Sequence, residues 1–156
     1  MKTRLKQLIG TVLALVASSA MAASGWTDDY EKALEQAKKE KKNVLLDFTG
    51  SDWCGWCIKL DKEVFSKPKF KSFAKDNLVL VEVDFPQGKR LPRKTQEQNE
   101  MLKDKFGIRG FPTLIVLDAD GNKVGQLGYL PGGPDAFIAK YQEVVGQSKA
   151  TAQVTQ

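Results

Sequence analysis

Two cysteines separated by two residues constrain this chain more than any other feature. Cys54 and Cys57 are the only cysteines among its 156 residues. An apolar run at residues 44–48 precedes them and a segment with helical spacing, residues 58–65, follows. We therefore predict a strand that leads into a helix, with both sulfurs in the first turn of that helix. Unpaired backbone N–H groups and the positive end of the helix dipole favour a thiolate there. Since a thiolate attacks disulfides, the pair predicts thiol–disulfide exchange.

The N-terminus, residues 1–22, is typical of a cleaved secretory signal peptide. A start with three basic residues precedes an apolar run at residues 8–17, and a small-x-small motif ends at Ala22. The alternative is a membrane anchor, but the apolar run is too short to span a bilayer comfortably. We therefore expect a periplasmic or secreted protein that is cleaved after Ala22.

Composition and charge describe one exported domain. Cleavage removes three basic and no acidic residues, which leaves 21 basic against 19 acidic residues and lowers the formal charge from +5 to +2. This small charge argues against nucleic-acid binding. We expect a single domain at residues 23–146 and a flexible C-terminal tail at residues 147–156. In an oxidising compartment a disulfide that closes so short a loop adds little stability, so redox chemistry explains the pair better than a structural bridge.

Hydrophobic periodicity predicts elements in the order α, β, α, β, α, β, β, α. Strands are expected at residues 44–48, 78–84, 114–117 and 123–127, the last two joined as a hairpin. Ser66 is the expected N-cap of the third helical segment, and a capping-box signature at residues 95–98 predicts the start of the next helix. Alternating strands and helices imply an α/β fold, with a central mixed β-sheet flanked by helices.

Three motifs together resemble the thioredoxin superfamily. They are Asp47-Phe48, Trp53-Cys54-Gly55-Trp56-Cys57 and Gly107-Ile108-Arg109-Gly110-Phe111-Pro112-Thr113. The resemblance covers residues 26–146 and implies a thioredoxin-like fold. Residues 51–54 and 64–68 are most similar to the C-terminal thioredoxin domains of membrane disulfide reductases, which carry electrons into the periplasm.

The resemblance also implies the site residues. Cys54 would be the exposed nucleophile, Cys57 the more buried resolving thiol and Asp47 the buried acid that exchanges a proton with Cys57. Pro112 would be a cis proline that faces the disulfide; the alternative is a trans proline at a strand start. The expected substrate-binding residues are Trp53, Gly55, Trp56, Phe111, Pro112, Gly128 and Tyr129.

Three features depart from the family pattern. The chain has no histidine, so the helix N-terminus must stabilise the thiolate, which argues against a strong oxidant. The loop from Asp47 to Cys54 is one residue longer than in typical thioredoxins, and the 78–84 strand lacks the lysine often found near the buried acid. Residues 85–98 form an insertion whose first ten residues carry four positive charges. This segment is either a solvated loop or a docking patch for an acidic partner.

We predict a protein-disulfide oxidoreductase that works as a reductase, with oxidase or isomerase activity as the alternative. The redox-active disulfide Cys54–Cys57 is its expected redox group, with no other cofactor and no metal. Zinc needs about four ligands, whereas the chain offers two cysteines and no histidine. A Cu(I) site and a module that only holds peptides are the rival interpretations of the cysteine pair. The expected partners are protein or peptide disulfides and a membrane-embedded electron donor. We expect a monomer.

Overall fold

The computed structural model describes residues 25–154, so the predicted signal peptide, residues 1–22, lies outside the described residues. Within the described range, strands and helices alternate along the chain. In chain order the elements are β1 (Trp26–Thr27), α1 (Tyr30–Glu40), β2 (Asn43–Thr49), α2 (Gly55–Leu60), a π-helical segment (Asp61–Phe65), α3 (Pro68–Asn77), β3 (Leu78–Asp84), α4 (Arg93–Phe106), β4 (Thr113–Leu117), β5 (Lys123–Leu127) and α5 (Gly133–Val154).

The strands form one mixed sheet in the order β1-β3-β2-β4-β5. β1, β3 and β2 are parallel, whereas β4 and β5 are antiparallel to their neighbours. The predicted mixed sheet flanked by helices is therefore confirmed. The sequence prediction missed β1, because two residues are too few for a periodic signal.

Helices cover both faces of the sheet because the strand side chains alternate in direction. Leu46 of β2 packs in a core with residues of α1 and α4. Leu45, its neighbour in the chain, packs in a second core with residues of α2, α3, α5 and the π-helical segment. β2 is the central strand, and Val44, Leu45, Leu46 and Phe48 are all fully buried. The turn that carries the cysteines follows directly after this strand.

Three helix ends differ from the sequence predictions. The N-cap of α3 is Lys67, whereas the Ser66 hydroxyl instead donates to the Asp61 carboxylate at 3.1 Å. α4 begins at Arg93, directly after Pro92, rather than at the capping-box signature; a proline lacks the N–H that a helix interior needs, so it suits this boundary. α5 continues to Val154, so most of the predicted tail at residues 147–156 is helical.

Candidate active site

Cys54 and Cys57 form a disulfide at the start of α2, with Cα atoms 5.2 Å apart. Cys54 is the N-cap of this helix, and its Sγ accepts a hydrogen bond from the Cys57 N–H at 3.2 Å. The Cys54 N–H donates to the Gly50 carbonyl at 2.9 Å, which closes the turn that follows β2. Both sulfurs therefore lie at the end of the helix where a thiolate is favoured, as the sequence predicts.

The expected exposure of Cys54 is wrong for this oxidised state. Cys54 is 7% exposed and Cys57 is 5% exposed, so the two cysteines are buried to nearly the same extent. The Cys54 sulfur is bonded to the Cys57 sulfur and also accepts the backbone N–H of Cys57 in the first turn of α2. The two cysteines differ in their surroundings instead, because Cys57 lines a cavity that opens to solvent and Cys54 is not among its lining residues.

Next to Cys54 in the chain, Trp53 forms an aromatic wall with Phe111. Trp53 is 43% exposed, as expected for a groove residue. Its ring meets that of Phe111 edge to face at 5.9 Å, and its Nε1 donates to the Phe85 carbonyl at 2.7 Å. A side chain at Gly50 would collide with the indole ring, so this glycine allows the Trp53 orientation. The Phe111–Pro112 peptide bond is cis, which confirms that expectation.

Trp56 and Tyr129 form a second aromatic surface near the cysteines. Their ring centroids lie 5.1 Å apart, and the Lys59 ammonium lies over both rings, at 5.1 and 5.2 Å. The Tyr129 hydroxyl donates to the Glu63 carboxylate at 2.8 Å. Trp56 is the most exposed of the large apolar side chains, at 58%. It is therefore held in place although it lies at the surface.

The two glycines expected in the groove have different surroundings. Gly128 lies beside Pro112, since a Cβ atom at residue 128 would be 3.9 Å from the Pro112 carbonyl oxygen. Gly55 is exposed, with open space where its side chain would be. The structure therefore brings Gly128 to the cis proline, whereas Gly55 contributes an open surface next to Cys54.

Behind the disulfide, Asp47 and Cys57 line the same cavity of about 310 Å³. Among the described residues, Asp47 Oδ1 is the buried side-chain oxygen that lacks a hydrogen-bond partner. The other lining residues are Trp26, Thr49, Ser51, Ile58, Asp61, Phe65 and Glu82. The cavity is large enough for water, which would satisfy the Asp47 carboxyl.

Three carboxyl groups meet in this cavity, and two of them were not predicted. Glu82 of β3 is the direct cross-strand neighbour of Asp47 in the parallel β2–β3 pair, and Asp61 approaches from the π-helical segment. Burial first, and then the negative charges of Glu82 and Asp61, raise the pKa of Asp47 to about 8. Burial also raises the pKa of Glu82. Asp47 is therefore protonated for the most part at neutral pH and titrates near the ordinary pKa of a thiol.

Residues 25–154 contain neither a membrane-spanning helix nor a cluster of metal ligands. No helix in this range combines the length and apolar character that a membrane span requires. The same residues contain no group of three or more histidine, cysteine or acidic side chains with the geometry of a metal site.

Comparisons with known proteins agree with this site. A family model described as a thioredoxin-like domain matches residues 30–144. The disulfide bond reductase DsbH of Chlamydia pneumoniae is 40% identical over 124 residues, which cover 80% of this chain and 75% of DsbH. The thiol:disulfide interchange protein DsbD of Cronobacter sakazakii is 35% identical over 97 residues, which cover 62% of this chain but only 15% of DsbD.

A solved structure titled DsbH oxidoreductase superimposes with a TM-score of 0.74 at 35% identity, covering 94% of this chain and 95% of that one. The matching family model covers most of the described residues, including both cysteines and Pro112. The chain belongs to the thioredoxin-like family, and it is a thiol–disulfide oxidoreductase.

Proposed function

We propose that this protein reduces protein disulfides in the cell envelope, with Cys54 as the attacking thiol. The observation that carries the direction of the reaction is the 40% identity to a protein named as a disulfide bond reductase, over three quarters of its length. The lack of histidine supports the same direction. Strong oxidants owe their power to a stabilised thiolate, and here no imidazolium contributes to that stability.

The reaction begins when both cysteines are reduced. The Cys54 thiolate attacks one sulfur of a substrate disulfide, forms a mixed disulfide and releases the first substrate thiolate. Cys57 then attacks the Cys54 sulfur, which restores the Cys54–Cys57 disulfide and releases the second substrate thiolate. Two electrons pass to the substrate, and each leaving thiolate takes up a proton. Because Cys57 lies in the same helical turn, the second step is intramolecular and fast.

Asp47 is the proposed acid–base group for Cys57. Its carboxyl lines the same cavity as Cys57, and its raised pKa lies close to that of a thiol. The ionised form therefore accepts the Cys57 proton at modest cost when Cys57 attacks, and the protonated form returns it in the reverse reaction. Water in the cavity is the medium through which this proton leaves.

The proposed substrate contacts around Cys54 are Trp53, Trp56, Phe111, Pro112, Gly128 and Tyr129. Turnover then requires a donor that returns two electrons to the Cys54–Cys57 disulfide, and we assign this role to a membrane-embedded reductase. The similarity to a domain of DsbD supports this assignment. The signal-peptide pattern of residues 1–22 supports export.

The reduction potential of the Cys54–Cys57 pair tests the direction. We would equilibrate the protein with dithiothreitol or glutathione redox buffers and measure the fraction of reduced cysteines. A reductase is expected to have a value near that of thioredoxin, about −270 mV. A value near about −120 mV, as in strong oxidants, would contradict the reductase assignment and indicate a disulfide donor.

A further inference from the structure

The segment between β3 and α4, residues 85–92, is bonded to the turn that precedes Cys54. The Asp52 carboxylate accepts the backbone N–H of Gln87 at 2.9 Å and that of Gly88 at 2.6 Å. These two hydrogen bonds lower the pKa of Asp52, so its negative charge is stabilised by the backbone of the segment. The Trp53 indole adds a bond to the Phe85 carbonyl. Residues 85–92 and the active-site turn therefore form one structural unit.

A second set of bonds attaches the base of this segment. The Asp84 carboxylate accepts hydrogen bonds from the Ser51 N–H at 2.9 Å and the Ser51 hydroxyl at 2.7 Å. Lys89 pairs with the same carboxylate at 3.1 Å. Because the Asp84 side chain is only 6% exposed, these partners compensate a charge that is otherwise costly to bury. The positive charge of Lys89 is therefore already paired within the protein.

The segment also extends the aromatic wall of the groove. The Phe85 ring stacks on that of Phe111 with centroids 5.2 Å apart and planes inclined by 20°. Phe111 directly precedes the cis proline, and Arg109 stands two residues earlier. A substrate that reaches the disulfide along this wall meets residues 85–92 on its outer edge.

The charge on this edge is positive and only partly compensated. Residues 85–94 contain four basic residues and no acidic ones. Lys89 pairs with Asp84 and Arg93 pairs with Glu97 at 2.7 Å. Arg90, Lys94 and Arg109 are exposed, and within residues 25–154 none of them has an ion-pair partner. Lys94 belongs to α4, so Arg90 and Arg109 are the two arginines next to the segment and the aromatic wall.

The nearby carboxylates do not neutralise these two arginines. Asp52 and Asp84 are engaged by the bonds described above, and Glu100 is paired with Lys103 at 3.4 Å. The Cα atom of Arg90 lies within about 7.6 Å of that of Gly88, which touches Asp52. Arg90 is therefore within reach of a substrate chain bound at Cys54.

We propose that residues 85–92 are a specificity element of the redox site, in which Arg90, together with Arg109, binds acidic side chains close to the disulfide of a protein substrate. The proposal rests on the disulfide-reductase function proposed above. An extended chain advances about 3.3 Å per residue, so acidic residues within about six positions of the substrate cysteine reach this edge. Because Arg90 makes no ion pair within residues 25–154, its charge is available to a bound substrate chain.

Three peptide disulfides with the same sequence, but with glutamate, glutamine or lysine beside the cysteine, test this directly. The reduced mature protein is mixed with each peptide, and the second-order rate constant of exchange is measured by stopped flow. We expect the glutamate peptide to react about two- to fivefold faster than the glutamine peptide, and the lysine peptide to react more slowly than both. The differences should disappear at an ionic strength of about 1 M, where charges are screened over about 3 Å.

Arg90→Glu is the variant that tests the assigned residue. Its side chain makes no ion pair within the described part of the chain, so the fold should persist. We expect the preference among the three peptides to be abolished or reversed. Lys39→Glu is the matched control, because it makes the same change of charge far from the site. Lys39 is exposed at the end of α1, which precedes β2, whereas Cys54 comes after the opposite end of β2. This control should retain the wild-type preference.

Asp52→Asn is a second, independent variant. Loss of the carboxylate weakens the attachment of residues 87 and 88, so the discrimination among peptides should diminish while reduction of a small uncharged linear disulfide, bis(2-hydroxyethyl) disulfide, is retained. Equal wild-type rates for all three peptides would overturn the specificity proposal, as would identical behaviour of Arg90→Glu and Lys39→Glu. Failure to reduce any of the peptides would instead contradict the proposed reductase function.

Discussion

The two sides of the Cys54–Cys57 disulfide present opposite environments. The outer side consists of exposed aromatic rings, led by Trp53 and Trp56, with positive charge around them. The inner side is a cavity with three carboxyl groups, of which Asp47 is the most deeply buried. The outer side exposes large apolar surface, whereas the inner side places a carboxyl of raised pKa in the same cavity as the Cys57 sulfur. In the proposed mechanism, substrate recognition takes place beside Cys54 and proton transfer beside Cys57.

The largest effect should come from removing the inner sulfur. Cys57→Ser leaves Cys54 able to attack a substrate but removes the intramolecular resolving thiol, so turnover should fall by about 10³-fold or more. The mixed disulfide between Cys54 and the substrate should accumulate and be visible by non-reducing electrophoresis or intact-mass measurement. Cys54→Ser is the control, since it should lose turnover without accumulating that species. An equal yield of mixed disulfide in both variants would contradict the assignment of the two roles.

The next largest effect is the pH dependence of the free energy of unfolding, which the buried Asp47 carboxyl should dominate. The folded pKa of Asp47, about 8, lies above the ordinary value of 3.8. Its contribution to stability is therefore fully present below about pH 3.8 and is lost as the pH rises toward 8, because the unfolded chain releases a proton that the folded chain retains. The loss reaches about 4 kcal/mol by pH 7. Asp47→Asn should remove this term and flatten the stability profile between pH 4 and pH 8.

Urea denaturation of both proteins across this pH range measures that difference. Asp118→Asn is a suitable control, since hydrogen bonds from residues 120–122 lower the pKa of Asp118 and its effect on stability therefore has the opposite sign. A wild-type profile that does not fall between pH 4 and pH 7, relative to Asp47→Asn, would show that Asp47 is ionised in the folded state.

A kinetic effect of the same residue should be smaller than the loss of a sulfur. If the Asp47 carboxylate accepts the Cys57 proton, Asp47→Asn should slow the resolution of the mixed disulfide by about 100-fold. In the wild type, the rate of this step should rise with pH through the pKa of Asp47. Glu82→Gln removes a neighbouring negative charge, so that inflection should move to lower pH. The rate is measured in single turnover with a peptide disulfide.

The proton-transfer role of the inner side would be contradicted if Asp47→Asn left unchanged both the rate of mixed-disulfide resolution and the inflection in its pH profile. In that case the cavity would be a passive feature, and Cys57 would lose its proton directly to solvent. A Glu82→Gln variant with an unshifted inflection would show that the two cross-strand carboxyls do not interact.

The smallest effect is expected on the outer side. Tyr129→Phe removes the hydroxyl that donates to Glu63 and leaves the ring that packs on Trp56. The site is partly exposed, so we expect a loss of stability of about 0.5 kcal/mol and a change in exchange rate of less than about threefold. Thermal unfolding measures the loss of stability, and the second-order rate constant for a peptide disulfide measures the change in exchange rate. Glu63→Gln retains a hydrogen-bond acceptor and should have a smaller effect than Tyr129→Phe.

Much of the fold could be predicted because its signals are local. The strand at Leu78–Asp84 was predicted with the observed ends, since its apolar residues alternate and polar residues bound it. The end of α4 at Gly107 also follows a local rule, since this glycine has the left-handed conformation, φ +64°, that favours its residue type. The starts of α3 and α4 were misplaced because their N-caps, Lys67 and Pro92, make no side-chain hydrogen bond to the helix, so neither gives a capping signal in the sequence.

The sequence alone determined the redox pair, because two cysteines at a spacing of three, after a buried strand and before a helix, meet in one helical turn. The resemblance added the cis proline at Pro112, which the structure confirms. The tertiary structure decided which residues surround the pair. Glu82 reaches Asp47 only through the register of β2 against β3, and Gln87 reaches Asp52 across 35 residues. Contacts between segments so distant in the chain depend on how whole strands align and how loops pack, and no local pattern encodes that alignment.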